Sequence, residues 1–160
     1  MGIAERSRAR VEDLLSDLER SYDSFPVNQT TLTLPAERYE RARREYGDGA
    51  VDTYVRIAND DGEVLQVTED GQTALPGVVG YPDDAFERDL ERRVERQTGV
   101  ECSIDGLDEV TIAGLGNADD PDEATFYRLL VVYQASYRGG EPAEGAEWHS
   151  QAADPRPAFV

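Results

Sequence analysis

The segment from Leu75 to Val100, LPGVVGYPDDAFERDLERRVERQTGV, most narrows what this chain can fold into. Asp83 and Asp84 favour a helix start, because carboxylates offset the positive N-terminal end of a helix. Phe86, Leu90 and Val94 recur one turn apart and give the helix one apolar stripe. Gly99 supplies its stop. On either side the period changes. Residues 51–58, 63–68 and 73–75 before it read as strands, as do Ser103–Ile112 and Thr125–Tyr137 after it. Asn117–Glu123, NADDPDE, reads as a polar loop. A helix with one apolar stripe, set among strands, must bury that stripe against a sheet, so the class is α/β.

The first third of the chain has its own pattern. Val11, Leu14, Leu15, Leu18 and Tyr22 recur at helical spacing, which predicts an amphipathic helix over residues 4–22. Pro26 follows its end, and Thr30–Leu34 alternates like a short strand. Pro35 opens a second helix with Tyr39, Ala42 and Tyr46 on one face, and Gly47-Asp48-Gly49 stops it. We read residues 1–49 as a helical N-terminal extension packed on a domain of residues 50–160. Pro155 and Pro157 keep Gln151–Val160 from forming a long helix. The N-terminal helix either takes that place on the sheet or packs elsewhere, for instance in a dimer contact.

The same central segment resembles the Nudix box. That motif runs Gly, five residues, Glu, seven residues, then Arg-Glu-apolar-x-Glu-Glu-x-Gly-apolar. Arg92, Val94, Gly99 and Val100 match its end. Its three clustered Glu positions hold Arg93, Arg96 and Gln97, its upstream Glu position holds Asp84, and its leading Gly position holds Val78, with Gly77 one residue early. Val51–Ala58, the Asp60-Asp61-Gly62 turn, Glu63–Val67 and Leu75-Pro76-Gly77 are similar to the family's strand, turn, strand and Leu-Pro-Gly lead-in. Phe126–Tyr137, the Gly139-Gly140-Glu141 turn and Glu147-Trp148 resemble its late strand and the neighbourhood before its last helix. The resemblance covers roughly residues 50–155 and implies an α/β/α sandwich with a mixed sheet.

The resemblance also implies a chemistry, and the box departs from it. In active members the clustered carboxylates hold Mg²⁺, which takes near-octahedral oxygen coordination. The metal positions a diphosphate and activates water for attack at phosphorus. Arginine cannot ligate a metal, so no metal is expected at the family positions and no cofactor is expected. Two readings of the replacements stand. Arg93 and Arg96, with Arg92 adjoining, are placed to hold a phosphate or carboxylate through planar guanidinium groups. Alternatively they are a solvated helix face, with Asp89–Arg93, Asp84–Arg88 and Arg92–Glu95 pairs worth about 0.5 kcal/mol or less each. Gly77 and Gly80 complete the ligand-binding candidates, since glycine lets backbone approach closely. Glu91 and Glu95 share a face turned away from the family positions. Tyr54, Tyr81, Phe126 and Tyr127 are placed either to stack a base or to fill the core.

The leading function is therefore a degenerate Nudix module that binds a nucleotide-like or other anionic ligand, or a protein partner, without family-type metal catalysis. The alternative is a Mg²⁺-dependent hydrolase of nucleoside diphosphate-linked compounds with displaced ligands, drawn from Asp84, Glu87, Glu144 and Glu147. A third reading is a structural homodimer built through the N-terminal helices.

Charge sets the surroundings. The chain has 34 acids against 16 bases and a net charge of −18, and every base is arginine. That repulsion destabilises a compact state in dilute buffer. In molar salt the Debye length falls to about 3 Å and screens it, so the composition fits a protein adapted to high salt. The acidity argues against duplex nucleic acid, which needs a basic face. Cys102 is the only cysteine, which fits a reducing cytoplasm, and with a lone His149 it cannot build a Cys/His zinc site. No signal peptide or membrane span is expected. Cys102 reads as core filler and His149 as a packing or surface residue.

Overall fold

The computed structural model describes residues 2–46, 51–69, 71–79 and 86–150. Among the described residues three helices, α1 (Ile3–Ser21), α2 (Ala36–Tyr46) and α3 (Phe86–Thr98), are set among eight strands. These are β1 (Val27–Leu34), β2 (Val51–Ala58), β3 (Val64–Glu69), β4 (Gln72–Ala74), β5 (Gly77–Val79), β6 (Val100–Asn117), β7 (Phe126–Gly140) and β8 (Ala146–His149). The strands pair in the order β1-β6-β7-β2-β3-β4, with β5 on β2 and β8 on β3. β1 runs parallel to β6, while β3 runs antiparallel to β2, β4 and β8, so the sheet is mixed and the fold is α/β.

The chain divides into two compact units. One gathers α1, β1 and α2 with residues 109–131. Here α1 buries Val11, Leu14 and Leu18 of the expected stripe, while Leu15 and Tyr22 are half-buried at its margin. Ser7 is buried beside them, and its hydroxyl accepts the Tyr127 N–H at 2.9 Å, which ties α1 to the start of β7. α2 buries Tyr39 and Ala42, and the Tyr39 ring tilts onto Phe126 with centroids 5.6 Å apart. Phe126 is thus core. The polar 118–125 turn holds α2 through the Asp119 carboxylate, which accepts the Ala36 N–H at 2.9 Å, and through Glu123, 3.1 Å from Arg43.

Among the described residues the other unit takes in 53–108 and 132–150. Its core includes Tyr54, Val55, Ile57, Leu65 and Leu75, with Leu90 and Val94 of α3. Tyr54 belongs to this core and offers no face for stacking a base. Several expected boundaries move. β5 follows the strand expected at 73–75 and was not expected, its three residues being too few for a strand period to register. Gly139 and Gly140 extend β7 where a turn was expected. Trp148 lies in β8, its ring edge-on to Tyr137 at 5.4 Å. Gly47-Asp48-Gly49, Gly80, Tyr81, Asp83, Asp84 and the segment 151–160 lie outside the described residues.

Candidate functional site

α3 is built from strong helix formers, ERDLERRVERQT after Phe86, and its rotation is set by what it buries. Leu90, Val94 and Thr98 are all 0% exposed, one turn apart. The Thr98 hydroxyl donates to the Val94 carbonyl at 2.7 Å and accepts the Val100 N–H at 3.2 Å, which closes the last turn. With this stripe inward, the successive 100° steps of a helix divide the remaining residues between two flanks.

On one flank lie Asp89, Arg93, Arg96 and Gln97, which includes all three clustered Glu positions of the box. Arg93 pairs with Asp89 at 3.1 Å, each side chain 47% exposed, so the expected helix pair forms. Arg96 and Gln97 are exposed.

The opposite flank walls an open cleft of about 400 Å³. Arg88, Glu91, Arg92 and Glu95 come from α3, Glu101 and Cys102 from β6, and Arg138 from β7. Arg92 is therefore a cleft residue, whereas Arg93 and Arg96 are not among its walls, because one helical step separates Arg92 from Arg93. Glu91 also clamps α3 to β6, its carboxylate accepting the Ile104 N–H at 2.8 Å. Three guanidinium groups, of Arg88, Arg92 and Arg138, and three carboxylates, of Glu91, Glu95 and Glu101, share this cleft, and among the described residues those arginines make no ion pair.

Cys102 is half-buried in the cleft wall. Burial, then the Glu91, Glu95 and Asp105 carboxylates, push its thiol up to about 11. A thiol in that state is a poor nucleophile. Alkylation by iodoacetamide at pH 8 should run roughly a hundredfold slower than for a free cysteine and speed up as pH rises toward that value, since the thiolate is the reacting form. An alkylation rate at pH 8 equal to that of free cysteine would show that burial and the neighbouring carboxylates do not hold back ionisation of Cys102.

The remaining candidates are scattered. A Cβ on Gly77 would sit 2.3 Å from the Thr53 carbonyl oxygen, so this glycine lets β5 lie against β2, where the Val55 N–H donates to the Pro76 carbonyl at 2.9 Å. Its closeness serves strand packing. Glu87 is exposed in the first turn of α3. Glu144 is exposed in the loop before β8, and Glu147 is exposed on β8, 3.6 Å from His149. Among the described residues no group of three or more His, Cys, Asp or Glu is placed to hold a metal ion. Arg93, Arg96 and Gln97, at the three clustered Glu positions of the box, offer no carboxylate to the Mg²⁺ that the resemblance implies.

The cleft was only partly visible in the sequence. The shared face of Glu91 and Glu95 is a spacing of four, and Arg88 and Arg92 repeat it. Nothing local connects that face with Glu101 or Arg138, which chain folding brings to it.

No helix among the described residues is long and apolar enough to cross a membrane. No family model and no curated protein matches the chain. Among solved structures it is similar to a MutT protein from Methanosarcina mazei Go1, at 19% identity and a TM-score of 0.46, over 63% of this chain and 76% of that one. It is also similar to an ADP-ribose pyrophosphatase from Streptococcus suis 89-1591, at 16% identity and a TM-score of 0.46, over 66% and 78% of the two chains. A third likeness is to a Nudix hydrolase from Nitrosomonas europaea, at 18% identity and a TM-score of 0.42, over 64% and 72%.

Proposed function

We propose that this chain is a Nudix-like module that binds a small anionic, nucleotide-like ligand in a salt-rich cytoplasm and does not carry out the family's metal-dependent hydrolysis. One observation carries the reading. Arg93 and Arg96 stand exposed on α3 at positions where metal chemistry needs carboxylates. A fixed guanidinium charge substitutes for metal charge in holding a phosphate, but it cannot activate water. The second reading of the same residues, a solvated face, draws support from the Asp89–Arg93 pair.

Two measurements separate these readings. In molar KCl with millimolar Mg²⁺, phosphate release from nucleoside diphosphate compounds should stay at background. Calorimetric titration with the same compounds should show binding that Arg93→Ala/Arg96→Ala weakens about tenfold or more, since hydrogen bonds to charged groups contribute roughly 1.5–3 kcal/mol. The fold should survive, because exposed helix pairs add little. Unchanged binding in the double variant would leave the arginines as a solvated face. Mg²⁺-dependent turnover lost in Asp84→Asn or Glu87→Gln would instead establish a hydrolase with displaced ligands.

A further inference from the structure

We propose that the outer edge of β1 is a self-association edge, through which two copies of this chain pair antiparallel along Val27–Leu34. β1 ends the strand order and, among the described residues, pairs with β6 alone. In a parallel pair each residue aims its N–H and C=O to the same side. The Pro26 carbonyl accepts the Val110 N–H at 3.1 Å, and the Leu34 carbonyl accepts the Ala118 N–H at 2.8 Å. Even-numbered residues therefore face β6. Val27, Gln29, Thr31 and Thr33 present their N–H and C=O groups to the outside.

Such an edge is a template for another strand unless something blunts it, and proteins usually place charge, proline or a bulge there. β1 reads VNQTTLTL and holds none of the charges that make up 31% of the chain. Prolines stand only at its borders, Pro26 and Pro35. Val27 is 42% exposed, the one exposed large hydrophobic among the described residues. For a chain of net charge −18, this strand is a line along which two copies meet without opposing like charges. The ground beside it is balanced too. Arg8 and Glu12 of α1, 3.5 Å apart, wall a hollow of about 160 Å³ with Gln29, Thr30 and Thr31.

The four outward residues are symmetric about Thr30, which selects the register. A two-fold axis through Thr30 sets Gln29 opposite Thr31 and Val27 opposite Thr33, so every outward donor and acceptor is paired. A shift by two residues in one direction brings in Pro35, which has no N–H to give. In the selected register Thr30 faces its own copy in a non-hydrogen-bonded pair, with Cα atoms about 4.5 Å apart.

Sedimentation of the full chain in molar KCl should give the mass of two chains. Thr31→Pro removes an outward N–H and leaves the β6 ladder intact, as proline at an edge allows. Across the axis it deletes two hydrogen bonds and should weaken the dimer roughly tenfold or more. Thr30→Glu sets two carboxylates face to face and should do the same. In a Cys102→Ala background, Thr30→Cys should form a disulfide between copies with oxidised glutathione as oxidant, because that Cα separation suits the bond. Asn28→Cys, opposite Leu32, should not. A monomeric parent would overturn the proposal, as would a dimer that both edge variants leave unchanged. Cross-linking through Asn28→Cys in preference to Thr30→Cys would overturn the register.

Discussion

Arg128→Met should cost about 3–5 kcal/mol of stability, the typical cost of breaking a buried ion pair by removing one partner. Arg128 on β7 and Asp52 on β2 are 0% and 1% exposed. The guanidinium donates from Nε to Oδ2 at 3.2 Å and from Nη2 to Oδ1 at 2.6 Å, a bidentate pair. Val51, Phe126 and Leu129 on the same two strands are fully buried as well. Burial pushes the Asp52 carboxyl up, while the hydrogen bonds and charge of Arg128 pull it down. Removing Arg128 leaves only the first influence, so the carboxyl must take up a proton or stay charged without a partner. Asp52→Leu should cost about as much, because it takes the carboxylate away from a fully buried guanidinium. The double variant should be far more stable than the sum of the single costs, since an apolar pair of similar volume often replaces a buried ion pair at little loss. Urea melts of the three variants in molar KCl give the cycle. Additive costs would mean that the two groups do not depend on each other. A domain has roughly 5–15 kcal/mol in total, so either single variant should sit near the edge of folding.

That pair also shows where reading the sequence ends. The strand VDTYVRIA and the run FYRLLVVYQASY were legible as strands, but Asp52 and Arg128 interrupt them as charges. Their partnership spans 76 residues, and no local period encodes it. The stripe of Leu90 and Val94 was legible because burial on a helix repeats at a fixed step, and both residues are fully buried. The same regularity placed Val11, Leu14 and Leu18 inward on α1. The box frame was legible as a motif, and so were the substitutions in it. Which flank of α3 walls a cleft was not, because that depends on Glu101, Cys102 and Arg138, delivered by β6 and β7. β1 was legible as a strand through its alternation. Its parallel pairing with β6 is a matter of topology and leaves no local mark.

Gly99→Ala should cost about 3 kcal/mol or more, because two penalties coincide there. Gly99 has φ +79°, the left-handed region, which costs a residue with a Cβ about 1–2 kcal/mol. It also has no room. A Cβ would lie 2.6 Å from the Glu141 carbonyl oxygen, a backbone atom that cannot rotate away, and forced overpacking adds about 1–3 kcal/mol. The crowding has a purpose. The Gly99 N–H closes α3 by donating to the Glu95 carbonyl at 2.7 Å, and the Ala143 N–H donates to the Thr98 carbonyl at 2.7 Å. The end of the helix is thus sewn to the chain that follows β7, and both flanks of α3 inherit their position from it. Gly62 provides the control. Its φ is +77°, and a Cβ there would meet nothing within 4 Å. Gly62→Ala should therefore cost only the dihedral penalty, about 1–2 kcal/mol. The difference between the two urea melts measures the close approach alone. Equal costs would mean that the loop after β7 yields freely, and α3 would then be held by its buried stripe and by the bond from the Ile104 N–H to Glu91.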